Sequence, residues 1–364
     1  MQASGSKIRV LVVDDSAVMR KLISKYLEQD PEIEVVATAI DGDFALSKVD
    51  QLKPDVVTLD VDMPRMDGIT VLGHIVAKHD IPVVMLSSLT ARGAALTMRA
   101  LEKGAVDFIC KPGGPSEIGK MAAELVSKIK GASRGKIVAA NNRAGDPRIA
   151  KKRPANLPHG SKAQKVVAIG ASSGGPHALR YLLPRIPADL NACLLIVQHM
   201  PESFTSMLAR WLDEICELEV REAREGDLIA SGRALIAPAC AHMKVRRVRS
   251  GCEVTLEHSA VVNGHMPSVD VLFRSVAAEY GEHAMGVIMT GMGSDGALGI
   301  GEIKKAGGTT FGQDKESCSV FGMPRVAIEK GFVDEIVPLT EMASRVVAAV
   351  GRVPLGEECH ALSH

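Results

Sequence analysis

Apolar runs that end in polar, chemically capable side chains, repeated at helix-length intervals, constrain this chain more than any other feature. The run Ile8–Val13 leads into Asp14 and Asp15, the run 56–59 into Asp60, and the run 83–86 into Ser87; the shorter 108–109 is followed closely by Lys111. Residues 35–37 form a weaker second run. Helical patterns lie between them. The clearest places Met19, Leu22, Ile23 and Tyr26 at the i, i+3, i+4, i+7 spacing of one buried stripe, with Ser16 positioned to cap its start. This alternation predicts a parallel, doubly wound sheet with right-handed crossovers. The carboxyl ends of such strands form one rim, and ligands bind there at the topological switch point. Acids and a lysine far apart in sequence would then face one small volume.

Carboxylates gathered this closely repel one another unless a cation sits among them, and a hard oxygen site with few protein ligands suits Mg2+. Asp60 is then a candidate phosphoryl acceptor, because a carboxylate can act as a nucleophile and form an aspartyl phosphate. Lys111 would neutralise a phosphoryl oxygen from the other side, and Ser87 would hydrogen-bond the group. Taken singly, each acid also reads as a solvated strand-end residue; their joint placement weakens that reading.

The segments V-D-D-S, L-D-V-D-M-P-R-M-D-G around Asp60, S-S-L-T from Ser87 and D-F-I-C-K-P ending in Pro112 resemble the receiver domain of two-component response regulators, over about residues 7–126. The resemblance implies a flavodoxin-like, doubly wound (βα)5 fold with Asp60 as the phosphorylated residue. It also implies Asp14 and Asp15 as the acidic pair at Mg2+, with Asp62 contributing its backbone carbonyl. Ser87 and Phe108 resemble the switch pair, and Lys111 the lysine of the family pattern.

A chain of 364 residues is expected to hold more than one domain. Lys plus Arg equals Asp plus Glu at 43 each, so no global charge recruits nucleic acid. Seven cysteines without a C-x-x-C pair argue against a disulfide framework or a zinc site and for a reducing compartment. No basic-then-apolar leader opens the chain, and no apolar run is long enough to cross a bilayer. A cytoplasmic, mainly monomeric protein with no membrane insertion is expected.

An interdomain linker is placed at 127–163, because from about 131 the patterning stops and the chain turns polar, Pro-bearing and basic. Its Lys151, Lys152 and Arg153 lack interleaved aromatics or a following recognition helix, which favours a solvated linker over a nucleic-acid contact. Residues 352–364 read as a disordered tail.

A second α/β pattern occupies 164–351, expected as a mostly parallel sheet with an antiparallel hairpin. The apolar residues 166–169 lead into G-A-S-S-G-G-P, where Gly170, Gly174 and Gly175 make a turn and Pro176 suits the first turn of a helix. Ser172 therefore sits on a strand-to-helix bend. Gly170, Ser172 and Gly174 satisfy the G-x-S-x-G elbow of serine hydrolases, although a Gly-rich turn before a helix also cradles phosphate. A serine nucleophile needs a base and an acid on the same rim. His199 follows the apolar run 193–197, and Asp295 lies in T-G-M-G-S-D-G after 287–289. His177 is expected along the helix, His242 and His265 in loops with ordinary surface roles, and Asp270 as a helix cap or first-turn charge; Asp314 is a rival acid. The chain order Ser172, His199, Asp295 departs from the Ser, acid, His order of α/β-hydrolases, which removes that fold analogy but not the chemistry.

Together G-A-S-S-G-G, V-Q-H-M-P, N-G-H-M-P-S-V-D, T-G-M-G-S-D-G and S-C-S-V-F-G-M-P resemble the catalytic domain of chemotaxis protein-glutamate methylesterases. The resemblance implies Ser172 as nucleophile, His199 as general base and acid, Asp295 as its orienting carboxylate and the Met292 backbone amide as an oxyanion donor, with no cofactor for the esterase. It implies methyl-accepting chemoreceptors as substrate, a chemotaxis histidine kinase as phosphodonor, and receptor glutamine deamidation as a second activity. Two other classes compete. A DNA-binding output domain would need a helix-turn-helix, and a nucleotide-binding domain would need a phosphate-loop lysine or dinucleotide glycine spacing that this chain lacks.

Overall fold

The structure, a computed structural model, describes residues 7–88, 90–134, 163–202, 204–249 and 251–351. The expected linker beyond residue 134 and the tail from 352 lie outside the described residues.

The first half is built from β1 (Ile8–Val13), α1 (Ala17–Leu27), β2 (Ile33–Ala39), α2 (Gly42–Leu52), β3 (Val56–Asp60), α3 (Gly68–Lys78), β4 (Val83–Ser87), α4 (Ala91–Glu102), β5 (Asp107–Cys110) and α5 (Ile118–Arg134). Its strands form one parallel sheet in the order β2-β1-β3-β4-β5. Alternate residues of β1 serve opposite faces. Val10 and Val12 join a core with Ile23 of α1 and Leu125 of α5, while Leu11 and Val13 join another with Val49 of α2, Leu72 of α3 and Met98 of α4. Burial on both faces is why these strands read as continuous apolar runs. Side-chain caps start four of the helices: Ser16, Asp41, Asp67 and Thr90 accept from backbone N–H groups three residues on. Each such cap contributes about 1 kcal/mol. The last helix, α5, continues to Arg134, past the boundary expected at 126, because Ile129 and Ala132 are still buried.

The second half contains β6 (Lys165–Ala171), α6 (Gly175–Leu182), β7 (Ala192–Gln198), α7 (Phe204–Ile215), β8 (Glu219–Glu222), β9 (Arg233–Ile236), β10 (His242–Val248) and β11 (Gly251–Glu257). It continues with α8 (Val269–Tyr280), β12 (Ala284–Ile288), α9 (Ala297–Lys305), β13 (Thr309–Gln313), α10 (Met323–Glu329), β14 (Glu335–Val337) and α11 (Leu339–Val350). Seven strands form a wholly parallel sheet in the order β14-β13-β12-β6-β7-β9-β8, and β10 and β11 make a separate antiparallel ribbon. An alternating α/β sheet of this kind is not a helix-turn-helix output domain. No helix among the described residues is long and apolar enough to cross a membrane.

The two halves pack together through α4, β5 and α5. Phe108 of β5 stacks on Phe204 of α7, with ring centroids 4.9 Å apart and planes within 1°. Arg180 of α6 donates to the Leu101 carbonyl at 3.3 Å, and the Gly174 N–H donates to Asp107 Oδ2 at 2.8 Å. Gly131 of α5 lies so close to the other half that a Cβ there would stand 1.9 Å from the Ser319 carbonyl oxygen.

Candidate functional site

The switch point of the first sheet falls between β1 and β3, where Asp14 and Asp60 end adjacent strands. Asp14 and Asp60 are buried, Asp15 is exposed, and one carboxylate oxygen from each lies within 4.8 Å of the others. Lys111 Nζ reaches Asp14 at 2.9 Å and Asp60 at 2.7 Å. Burial works against the lysine's charge, but the two carboxylates outweigh it and hold Lys111 protonated. Burial likewise pushes the Asp60 carboxyl up to about 6, with the neighbouring Asp14 charge adding to the rise and Lys111 opposing it. Hard oxygen donors converging on one point fit Mg2+. Asp62 stands at the surface, its backbone N–H donating to Asp60 Oδ1 at 3.3 Å and its carboxylate 3.8 Å from Arg92. Ser87 is buried, and Thr97 of α4 donates to its hydroxyl at 2.6 Å. Phe108 is buried, its ring stacked on Phe204 of the second half.

In the second half, strand register explains the convergence of the three candidate triad residues. Ala171 pairs with Gln198, so Ser172 and His199 leave β6 and β7 side by side, and the His199 N–H donates to the Ala171 carbonyl at 3.0 Å. On the other flank β12 pairs with β6, and the Ser172 N–H donates to the Thr290 carbonyl at 3.0 Å. Gly174 turns the chain into α6 with φ +77°, and a Cβ there would meet Ser319 Cβ at 2.5 Å. That bend leaves Ser172 lining a small cavity with His199.

Asp295 closes the arrangement from the loop after β12. Its Oδ2 lies 2.9 Å from His199 Nε2. Asn263 and Ser268 side chains and the Val269 N–H also donate to it, at 2.9, 2.7 and 2.7 Å. Burial alone would raise this carboxyl's pKa; hydrogen bonds from His199, Asn263 and Ser268 prevail and hold it far below the usual range. An ionised Asp295 makes Nε2 the protonated nitrogen, which leaves the lone pair on Nδ1. His199 Nδ1 is buried and has no hydrogen-bond partner among the described residues. Met292 is 41% exposed, one residue beyond Gly291, whose Cα faces Ser172 so closely that a Cβ would lie 2.9 Å from the serine Cβ.

Two expectations require correction. His242 does not sit in a surface loop: it opens β10, fully buried, and accepts from the Ser268 N–H at 3.1 Å. His265, expected to play a surface role, stacks on His199 with centroids 3.9 Å apart and planes within 6°. Sequence reasoning also missed Asn263, which joins Asp295 to Asp270, and Asp107, which reaches Gly174 from the other half. Asp270 is in the first turn of α8, as expected. The N-G-H motif was the available signal for Asn263 and His265; its contacts depend on a loop returning over the rim.

Residues of the first half line the space beside the serine. Asp107, Phe108, Cys110, Glu124 and Lys128 line the cavity that Ser172 and His199 share, and its volume is ≈ 80 Å³. A cavity of that size has room for water. Lys128 bridges Asp107 at 3.2 Å and Glu124 at 2.8 Å, and these carboxylates outweigh the burial that opposes its charge.

Over residues 167–346 the chain matches the family model described as CheB methylesterase, and over residues 10–123 that of the response regulator receiver domain. It is 49% identical over 345 residues to protein-glutamate methylesterase/protein-glutamine glutaminase 2 of Koribacter versatilis, across 91% of this chain and 93% of that protein. It is 44% identical over 361 residues to the protein-glutamate methylesterase/protein-glutamine glutaminase of Pyrococcus abyssi, across 96% and 95% of the two chains. Among solved structures, the Thermotoga maritima CheB methylesterase catalytic domain aligns with a TM-score of 0.51 and 37% identity, covering 52% of this chain and 100% of that one. With a parallel-sheet receiver in front of a parallel-sheet hydrolase, and relatives matching along nearly its whole length, the chain belongs to the protein-glutamate methylesterase/protein-glutamine glutaminase family.

Proposed function

We propose that the protein is a phosphorylation-activated ester hydrolase that removes methyl groups from glutamate side chains of chemoreceptors and deamidates receptor glutamines. The observation that carries this reading is Ser172 and His199 leaving adjacent strands into one cavity, with His199 Nε2 2.9 Å from an ionised Asp295. His199 Nδ1 takes the Ser172 proton as Oγ attacks the γ-carbonyl carbon, and a tetrahedral oxyanion forms. Backbone amides, that of Met292 among them, stabilise the oxyanion by about 3 kcal/mol per donor. His199 returns the proton to the departing methanol, or to ammonia from a glutamine. Water, activated by the same nitrogen, then hydrolyses the glutamyl-serine ester. Asp295 stays ionised, keeping the tautomer and stabilising the imidazolium.

In the receiver, Asp60 is the phosphoryl acceptor, and Asp14, Asp15, Asp60 and the Asp62 carbonyl would hold Mg2+. When bound, the cation offsets the charge between the carboxylates and an incoming phosphoryl group. Lys111 meets that group from the other side, and Ser87 leaves Thr97 to bond it. Without phosphorylation the receiver covers Ser172; phosphorylation loosens that cover. The phosphodonor is a histidine kinase of the same chemosensory system, and both operate in the cytoplasm.

The test is methanol release from membranes carrying methylated receptors, with and without a small acyl phosphate donor. Release should rise with the donor. Ser172→Ala should abolish release while Asp60 still accepts phosphate; hydrolysis that survives Ser172→Ala would refute the nucleophile assignment.

A further inference from the structure

We infer that His265 is a positioning residue for the hydrolytic step, its imidazole acting as a flat wall that sets the ring plane of His199. The inference rests on the esterase reading above and adds a residue to it.

The hydrogen bond to Asp295 holds the His199 ring by its edge, through Nε2, and puts nothing against its face. A second contact, on the ring face, would hold Nδ1 toward the cavity that Ser172 also lines. His265 supplies it through a face-to-face stack, with centroids 3.9 Å apart and planes within 6°. The turn that carries His265 is closed by its own hydrogen bonds. Val262 and His265 exchange two backbone hydrogen bonds of 3.0 Å, and Asn263 between them adopts φ +53°. His265 Nδ1 donates to the Asn263 carbonyl at 2.9 Å, which sets its tautomer. The Asn263 side chain donates to Asp295 and Asp270. One turn thus holds the base from its face and the carboxylate from its edge.

Charge supports the same role. His199 becomes cationic as it takes the serine proton, so a cationic neighbour would oppose the step. Burial first, then His199 itself and Lys120 of α5, disfavour protonation of His265; Asp295 and the Asn263 carbonyl favour it, but the balance lowers the pKa. Two imidazoles and a carboxylate this close also suggest a metal site. The parallel planes argue otherwise, since they send the ring lone pairs side by side rather than to one point, and His199 Nε2 is already committed to Asp295.

The experiment compares wild type, His265→Ala and His265→Phe as full chains with the acyl phosphate donor present. It reads kcat and KM for methanol release from methylated receptor membranes, and the rate at which a fluorophosphonate labels Ser172. Phosphorylation of Asp60 and the thermal midpoint report folding. His265→Ala should lower kcat and the labelling rate about 10- to 100-fold with KM little changed, the cost of a misaimed base. His265→Phe, which restores a flat face, should recover most of both. Wild-type rates in His265→Ala, a loss confined to KM, or no recovery in His265→Phe would overturn the inference. Labelling depends on serine activation and not on the receptor, so wild-type labelling without methanol release would sink the function and leave the stack judged by the labelling rates.

Discussion

As the proposed phosphoryl acceptor, Asp60 would serve as a nucleophilic anion in a setting that makes ionisation harder than in water. Burial pushes its pKa up to about 6, and Asp14 alongside adds to the rise. As pH falls through that value the carboxyl gains a proton, and a protonated carboxyl neither binds a divalent cation well nor attacks phosphorus. Metal ligands must be deprotonated, so cation affinity is linked to this proton. Mg2+ binding, followed by calorimetry, should therefore be nearly flat above pH 7 and weaken by about tenfold per pH unit below 6. Mg2+ binding should also release protons near pH 6. Affinity independent of pH between 5 and 7 would show that Asp60 does not have the raised pKa or is not a ligand.

The receiver helix α5 meets the second half edge-on at Gly131, and this makes one methyl group diagnostic. Gly131→Ala should stabilise the isolated receiver by about 1 kcal/mol, because alanine is the better helix former. The same methyl group would stand 1.9 Å from the Ser319 carbonyl oxygen, so docking must loosen, by about 1–3 kcal/mol if typical overpacking costs apply. The two effects have opposite signs and separate readouts. Thermal unfolding of residues 7–134 should shift upward, while methanol release by the unphosphorylated full chain should increase; unchanged release would mean that this contact does not hold the cover closed. Nothing in the sequence marked Gly131, since its neighbour lies across a linker. Asp14, Asp60, Lys111, Ser172 and His199 were legible for the opposite reason: each ends a strand or directly follows one, and an apolar run ending in a polar side chain points to a rim. The alternation of runs likewise made both parallel sheets readable. Asp295 stands several residues beyond β12, and His265 reaches the site only because its loop folds back, so periodicity could not place their contacts. His242 was misread because a histidine opening a strand looks like a loop residue until its hydrogen bonds are known.

At the scale of the whole molecule, the elements beside the proposed phosphoryl acceptor also line the cavity that holds Ser172. Ser87 ends β4 and bonds Thr97 of α4; Lys111 follows β5, whose Asp107 and Phe108 reach the second half; Lys128 of α5 holds Asp107 in place. On the proposed reading, drawing Ser87 toward Asp60 takes it from Thr97 and from the Gly93 carbonyl of α4, and a shift of α4 would then strain the Arg180 bond to Leu101 that joins the halves. Such coupling is commonly worth about 1–3 kcal/mol, or about 5- to 150-fold in an equilibrium. A fragment of residues 163–351 should therefore release methanol faster than the unphosphorylated full chain by a factor in that range, and adding an acyl phosphate should change the full chain but not the fragment. The Thermotoga maritima relative was solved as a catalytic domain alone, which makes a folded fragment a reasonable reagent. If fragment and unphosphorylated full chain turn over at the same rate, the receiver does not restrain the hydrolase by covering it, and the Gly174 to Asp107 contact must serve only to hold the halves together.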